Sequence, residues 1–269
     1  MVSFPHCKIN LGLNVVSKRP DGFHNIETCF YPIPRTDILE IIPSTEFSFT
    51  QSGINVPGLQ EDNLCIKAYR LLSKDFGLGN IKMHLHKIIP MGAGLGGGSS
   101  DAAFVLRLLN TVFNLKVPIE KLRNYASQLG SDCSFFIEDA PMIGTGRGEI
   151  VSPIPIALTG CYLVLAKPDA HISTAEAYSG IVPQKAQFPI SEILNLPVAK
   201  WRKELKNDFE KSIFEKFPLI GHIKEKIYSC GALYASMSGS GSTVYGIFDK
   251  PVDLKKEFPD IDYWSGELK

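Results

Sequence analysis

The chain has 269 residues, of which 28 are basic and 28 acidic, so its formal net charge is zero, and 44% of its residues are hydrophobic. This composition is that of a globular protein with one large domain or two ordinary ones, and its balanced charge excludes a general attraction to nucleic acid or anionic membranes. No membrane-spanning apolar run or signal-peptide pattern is present, so we expect a cytoplasmic protein that binds neither nucleic acid nor membranes. Its six cysteines lack C-x-x-C or zinc spacing, which favours buried, reduced thiols.

The first predicted element is a strand over residues 7–16, where polar and apolar residues alternate. Lys8, Asn10 and Gly12 share one face of it, and from the residues alone this face is interpreted as solvated. A turn containing Pro-Asp-Gly follows and leads directly into Phe23-His24. Turns normally end in polar residues, so Phe23 either folds back into the core or contacts a ligand.

Further strands are predicted over residues 37–42 and 46–51, followed by a helix with Asn63 as its N-cap and Gly77 at its end. Residues 81–89 form the next predicted strand, with His84 and His86 on one face. No third ligand accompanies the two histidines, so we interpret them as ordinary strand residues and predict no metal site built from protein ligands.

The stretch from Pro90 to Asp101 holds five glycines within seven residues, which frees the backbone to approach a ligand closely. Ser99 or Ser100 can cap the apolar-periodic helix behind it. Exposed backbone N–H groups and the positive end of the helix dipole then favour a phosphate at this site. The Walker A pattern of P-loop proteins is absent. The G-x-G-x-x-G pattern of dinucleotide-binding proteins is present, but it is weak evidence here because the helix is followed by a second helix and not by a strand.

That second helix is predicted from Pro118 to Leu129, and Gly130 ends it. Asp132, just beyond, is explained by a capping role when the residues are considered alone. Arg147 lies in a glycine-rich loop and either reaches a phosphate or faces water. Composition changes near Pro155, where we place a domain boundary.

Beyond the boundary, residues 161–166 predict an apolar strand, and Ser173 or Thr174 begins a short helix that carries Tyr178. A tyrosine on a helix is most often a half-buried core residue. Residues 235–248 join a loop of small residues to a strand, with tight curvature at Gly239 and Gly241. The hydroxyls of this loop are able to serve phosphate oxygens.

The segment Pro90-x-Gly-x-Gly-Leu-Gly-Gly-Gly-Ser-Ser-Asp-Ala-Ala resembles the phosphate loop of the GHMP small-molecule kinases. Lys8-Ile-Asn10, Gly130-x-Asp132-x-x-Phe-Phe and the serine-rich loop near residue 239 also match that family, in the same order. The resemblance implies an α+β, two-domain GHMP kinase fold. Its parts are an N-terminal ATP-binding domain like ribosomal protein S5 over residues 1–155, a ferredoxin-like C-terminal domain over residues 156–269, and an active site in the cleft between them.

The resemblance also assigns roles to individual residues. Lys8 and Asp132 are implied as the catalytic pair, with ATP and Mg²⁺ as cofactors and Ser99 or Ser100 nearest the metal. The residues implied in nucleotide binding are Asn63, Lys87, Pro90, Gly92, Gly94, Leu95, Gly96, Gly97, Gly98, Ser99 and Ser100. Those implied in substrate binding are Asn10, Phe23, His24, Tyr178, Gly239 and Ser240.

Within the family, Gly-aromatic-His after the first strand belongs to a member whose substrate carries cytidine, with the aromatic ring stacked on cytosine and Tyr178 as its second wall. The implied reaction phosphorylates the 2-hydroxyl of a methylerythritol that bears a cytidine diphosphate group, in the non-mevalonate isoprenoid precursor pathway. Two alternatives stay open: a homoserine or mevalonate type of kinase, and a non-catalytic nucleotide-binding regulator on the same fold. The sequence does not predict an oligomeric state.

Overall fold

The computed structural model describes residues 1–268, which divide into two compact units. The first unit comprises Met1–Cys7, Arg35–Met91 and Gly96–Asp139. The second unit comprises Lys8–Pro34, Gly92–Leu95 and the described residues from Ala140 onwards. The chain therefore passes from one unit to the other several times before residue 140.

The described strands are, in chain order, β1 (Val2–Ser3), β2 (His6–Lys18), β3 (His24–Thr36), β4 (Ile38–Pro43), β5 (Ser48–Gly53), β6 (Ile81–Lys87), β7 (Met142–Thr145), β8 (Ile150–Pro153), β9 (Tyr162–Lys167), β10 (Tyr234–Met237), β11 (Val244–Phe248) and β12 (Asp262–Glu267). The α-helices are α1 (Leu64–Phe76), α2 (Gly97–Val112), α3 (Ile119–Leu129), α4 (Thr174–Ser179), α5 (Ile190–Ile193), α6 (Trp201–Glu204), α7 (Glu210–Lys216) and α8 (Pro218–Ser229). Short 3-10 helices cover Gln60–Asp62, Ser131–Ile137, Val198–Lys200 and Lys255–Glu257.

The first unit is built on a four-stranded sheet in the order β1-β4-β6-β5, in which only the β5–β6 pair is parallel. Helices α1, α2 and α3 belong to the same unit and contact one another. The predicted ends of α1 are confirmed, because the Asn63 side chain accepts a hydrogen bond from the Cys65 N–H and Gly77 adopts a left-handed φ of 61°.

Helix α2 begins earlier than the sequence predicts. Neither Ser99 nor Ser100 caps it; the helix starts at Gly97 and Gly96 is the N-cap, with a φ of 69° that glycine adopts without strain. Burial also extends beyond the apolar face of the helix, because Asp101 and Phe104 are buried as well. Ser99 thus lies in the first turn, where N–H groups have no partner within the helix, whereas the Ser100 N–H already donates to the Gly96 carbonyl at 2.9 Å.

The second unit contains two sheets, in the orders β2-β3-β7-β8 and β10-β11-β9-β12. In the latter sheet the four strands, numbered by sequence, lie in the order 2-3-1-4 and are all antiparallel, which is the ferredoxin-like arrangement predicted for this part of the chain. Helix α8 packs on β10 and β11. The connection from β11 to β12 contains a single 3-10 turn in place of a second long helix.

The core of the second unit takes side chains from both sides of residue 155. Leu13, Val15 and Ile26 are buried in the same cluster as Val164 and Phe248. The boundary near Pro155 stays a prediction.

All six cysteines are free thiols, four of them buried, as the sequence predicts. Across residues 1–268, no helix is both long and apolar enough to cross a membrane.

Candidate active site

Lys8 and Asn10 lie on β2 and are buried, so the interpretation of this strand face as solvated is wrong. The Lys8 ammonium donates to Asn10 Oδ1 at 2.5 Å and to the Gly94 carbonyl at 3.0 Å, and it lies 5.3 Å from the centre of the Phe30 ring. Asn10 Nδ2 in turn donates to Thr28 Oγ1 at 2.9 Å. These contacts hold the ammonium at the glycine loop.

The glycine loop is fixed by backbone contacts that exclude a side chain at Gly94. The Lys8 N–H donates to the Leu95 carbonyl at 3.0 Å, and Ser238 Oγ donates to the Gly94 carbonyl at 2.8 Å. A Cβ at Gly94 would lie 1.9 Å from the Ser238 carbonyl oxygen, and the φ of Gly94 is +74°. Close approach of residues 92–95 to the serine-rich loop therefore requires glycine here.

Most hydroxyls of the serine-rich loop are used within the protein. Besides Ser238, the hydroxyl of Ser236 donates to Glu210 Oε1 at 2.9 Å and that of Ser242 to the Ala170 carbonyl at 2.7 Å. Ser240, which is half-buried, makes no such bond in the described structure. It therefore stays the loop's predicted contact to a ligand, together with the Gly239 backbone, whose φ is 55°.

Asn207 shapes the serine-rich loop, a role that its neighbours in the sequence do not indicate. Its buried Nδ2 donates to the carbonyls of Met237 and Gly239, both at 2.8 Å, while its Oδ1 accepts from the Phe209 N–H at 3.0 Å. From the sequence alone, Asn207-Asp-Phe-Glu suggests a helix cap, but the N-cap of α7 is Phe209. The structure adds that this amide shapes the serine-rich loop, which only tertiary contacts reveal.

The predicted aromatic site lies around the turn before β3. Phe23 is 53% exposed, so it does not fold into the core, and the Arg147 guanidinium lies 5.0 Å from its ring centre. His24 stacks on Tyr178 with ring centres 4.7 Å apart and planes 15° from parallel. Tyr178 also meets Phe209 edge-on at 4.9 Å. Its role as the wall opposite Phe23 stays a prediction, with His24 as its observed stacking partner.

The first unit contains a cavity of about 310 Å³ at the start of α2. Asn63, the predicted nucleotide-binding N-cap of α1, contributes to its wall. The residues that line it are Phe49, Gln51, Val56, Pro57, Gly58, Leu59, Gln60, Asp62, Asn63, Leu64, Cys65, Leu85, Met91, Gly98 and Asp101. The wall combines apolar side chains, which suit the faces of a planar ring, with polar groups that suit its edge.

Lys87 is buried in an ion cluster that sequence reasoning did not find. Its ammonium donates to Asp37 Oδ2 and, at 2.8 Å, to Asp101 Oδ2, and it is 1% exposed. Asp37 Oδ1 accepts from the N–H groups of Ile88 and Ile89 at 2.5 and 2.8 Å. Burial raises the pKa of Asp101 to about 7 although Lys87 opposes the shift. These contacts favour a positioning role for Lys87 at the entry to the loop, and its contact with a nucleotide stays a prediction.

Asp132 lies in the 3-10 helix Ser131–Ile137, which contacts both α2 and α3. It is half-buried, and the thiol of the next residue, Cys133, interacts with the Ser99 side chain in the first turn of α2. The Asp132 segment therefore lies beside the helix end at which the sequence predicts phosphate. Lys8 belongs to the second unit, so the convergence of the two catalytic candidates is part of the proposal below.

Two family models match the chain: the GHMP kinases N terminal domain over residues 63–142 and the GHMP kinases C terminal over residues 191–258. Together they span more than half of the chain. The chain belongs to the GHMP kinase family.

Individual relatives are consistent with this family. This GHMP kinase is 54% identical, over 97% of both chains, to the 4-diphosphocytidyl-2-C-methyl-D-erythritol kinase of Cytophaga hutchinsonii. A crystal structure of 4-(cytidine 5'-diphospho)-2C-methyl-D-erythritol kinase superposes with a TM-score of 0.86 at 29% identity and covers 100% of this chain and 99% of that one. A crystal structure of mevalonate kinase, at 13% identity and a TM-score of 0.72 over 100% and 99% of the two chains, shows the fold alone.

Proposed function

We propose that this GHMP kinase transfers the γ-phosphoryl group of ATP to the 2-hydroxyl of 4-diphosphocytidyl-2-C-methyl-D-erythritol, in the cytoplasm. The observation that carries the proposal is the 54% identity to the Cytophaga hutchinsonii enzyme over almost the full length of both chains. The kinase of the mevalonate type shares only the fold at 13% identity, so it gives no comparable support for a mevalonate substrate.

The residues at the start of α2 fit a triphosphate. Ser100 Oγ is fully buried and has no hydrogen-bond partner among the described residues, so it has capacity for a ligand. A Cβ at Gly98 would meet only Met91 Cε at 3.7 Å, which leaves the backbone open on that side. Phosphate oxygens would accept from the free N–H groups of this helix end, and the cavity beside it would take the base.

Phosphoryl transfer demands mainly positioning and charge stabilisation from a protein. Asp132 would orient the substrate hydroxyl and accept its proton, while the Lys8 ammonium would stabilise negative charge on the attacking oxygen and the transferred group. Mg²⁺, when bound, would neutralise the phosphates with few protein ligands and several waters, and the side chains of Ser99 and Ser100 are its candidate contacts.

The aromatic site supports a cytidine-bearing substrate. Phe23 offers an exposed ring face for stacking on a pyrimidine, and the stack on Tyr178 fixes the plane of His24, whose ring edge would hydrogen-bond to the base. Homoserine and mevalonate contain no base that requires such a site.

The decisive experiment offers the purified enzyme ATP with one of four acceptors and follows ADP release and the phosphorylated product by ³¹P NMR. We expect turnover with the cytidine diphosphate substrate and none with methylerythritol 4-phosphate, homoserine or mevalonate. Equal or better turnover with an acceptor that lacks cytidine would contradict the proposal. ATP binding without turnover of any acceptor would favour the regulator.

A further inference from the structure

One oxygen of the buried carboxylate of Asp101 lacks a partner. Asp101 is 2% exposed, and its Oδ2 accepts a hydrogen bond from the Lys87 ammonium at 2.8 Å. Its Oδ1 is buried and has no hydrogen-bond partner within the described part of the chain. Because a buried acceptor left unpaired destabilises a protein, such an atom suggests a ligand that supplies the missing donor.

Asp101 belongs to the wall of the 310 Å³ cavity at the start of α2. Apolar side chains, among them Phe49, Leu85 and Met91, make up much of the remaining wall and suit the faces of a planar ring. Gly98, in the first turn of α2, borders the same cavity. A nucleotide whose phosphates lie at this helix end would therefore bring its base close to Asp101.

This inference rests on the proposed function, in which the cavity takes the base of ATP. We propose that Asp101 determines base specificity: its Oδ1 accepts a hydrogen bond from the exocyclic amino group of adenine. Hypoxanthine and guanine carry a carbonyl oxygen at the same ring position. Two acceptors would then face each other, so the site rejects both bases.

Lys87 makes the proposal testable with one isosteric change. Because its ammonium donates to Asp101 Oδ2, the atom in that position must be an acceptor. In the Asp101→Asn variant the amide oxygen takes this place, which turns the amide NH₂ towards the position of Oδ1. The variant therefore presents a donor where the native protein presents an acceptor, and its preference should move from adenine towards a base with a carbonyl.

The experiment measures direct binding of ATP, ITP, purine riboside triphosphate and 2'-deoxy-ATP to the full-length protein by titration calorimetry at about pH 8.5, above the pKa of Asp101, so that its carboxyl group is ionised and Oδ1 is an acceptor. We expect the native protein to bind ATP and 2'-deoxy-ATP alike and to bind the two analogues that lack the amino group about tenfold or more weakly. In Asp101→Asn, the ratio of ATP to ITP affinity should fall by about tenfold or more.

The matched control is Asp75→Asn, because Asp75 lies in α1 of the same unit and is exposed, does not line the cavity, and accepts a hydrogen bond from the Tyr125 hydroxyl at 2.5 Å. It should keep the native preference. An unchanged ATP to ITP ratio in a folded Asp101→Asn protein would overturn the proposal, and so would discrimination by the ribose hydroxyl alone. If the variant does not fold, the analogue series on the native protein decides, since equal binding of purine riboside triphosphate and ATP excludes a bond to the amino group.

The two proposals fail in different ways. A protein that prefers ATP over ITP but does not phosphorylate the cytidine substrate would refute the proposed function and keep the role of Asp101. A protein that phosphorylates this substrate equally well with ATP and ITP, and binds both equally, would refute the role of Asp101 and keep the proposed function.

Discussion

Asp132 is the single residue on which the proposed chemistry depends most directly. Replacing it with alanine should lower kcat by about 10²- to 10⁴-fold, the range of a positioned general base, because no other group would then orient the hydroxyl. ATP affinity should change little, since the aspartate addresses the acceptor and not the nucleotide. Steady-state kinetics and a separate ATP titration measure the two effects.

Asp139→Ala provides the control for Asp132→Ala. Its carboxylate follows the same 3-10 segment, is 52% exposed and pairs with Arg107 at 2.8 Å, so its loss should leave turnover near the native level. Near-normal turnover of Asp132→Ala, or an equal loss in both variants, would refute the catalytic role of Asp132.

The carboxyl group of Asp101 should make the free energy of unfolding fall as the pH rises. Because its pKa rises to about 7 on folding, the native chain holds a proton that the unfolded chain releases above about pH 4. The contribution of Asp101 to the free energy of unfolding therefore falls as the pH increases from about 4 to 7. The amide introduced by Asp101→Asn does not titrate, so in urea unfolding this variant should gain on the native protein across this window. The opposite trend would mean that Lys87 keeps Asp101 ionised.

At the scale of elements, the loop and helix α2 use their glycines for two different purposes. Gly94 permits backbone contact inside the protein, whereas Gly98 leaves space outside the helix. Gly94→Ala should therefore unfold or strongly destabilise the chain, because its Cβ would meet the Ser238 carbonyl at 1.9 Å. Gly98→Ala should keep or raise stability by up to about 1 kcal/mol, since Gly98 has helical geometry and alanine favours helices.

The same Gly98→Ala variant should bind ATP about tenfold or more weakly, because its methyl group occupies space that the phosphates need. Thermal unfolding and ATP titration of the two variants separate the two purposes. Native ATP affinity in Gly98→Ala would place the phosphates elsewhere.

Local signals in the sequence predicted most of the elements but only part of the site. Asn63 and Gly77 mark the ends of α1 because capping depends on neighbouring residues, and the glycine loop is a contiguous motif. The ion cluster joins Lys87 to Asp37, 50 residues before it, and to Asp101, 14 residues after it, so no local pattern reveals it. The prediction that Ser99 or Ser100 caps α2 is wrong because Gly96, with its left-handed φ, already starts the helix earlier in the chain.

At the scale of the whole molecule, burial controls the chemistry of the thiols. Cys7, Cys29, Cys65 and Cys133 are buried, and burial raises the pKa of Cys29 and Cys133 to about 12. We expect a thiol reagent such as DTNB to react with at most two groups in the native protein, at Cys161 and Cys230, and with all six after denaturation. Rapid reaction of three or more native thiols would contradict this.

The shared core of the second unit limits how the gene can be divided. A fragment that begins at residue 156 lacks Leu13, Val15 and Ile26 and leaves bare the apolar surface that these side chains cover. Such a fragment should aggregate when expressed alone and become soluble when the segment 1–155 is supplied on a separate chain. The protein is thus a natural candidate for a split reporter, whose halves regain activity only on association.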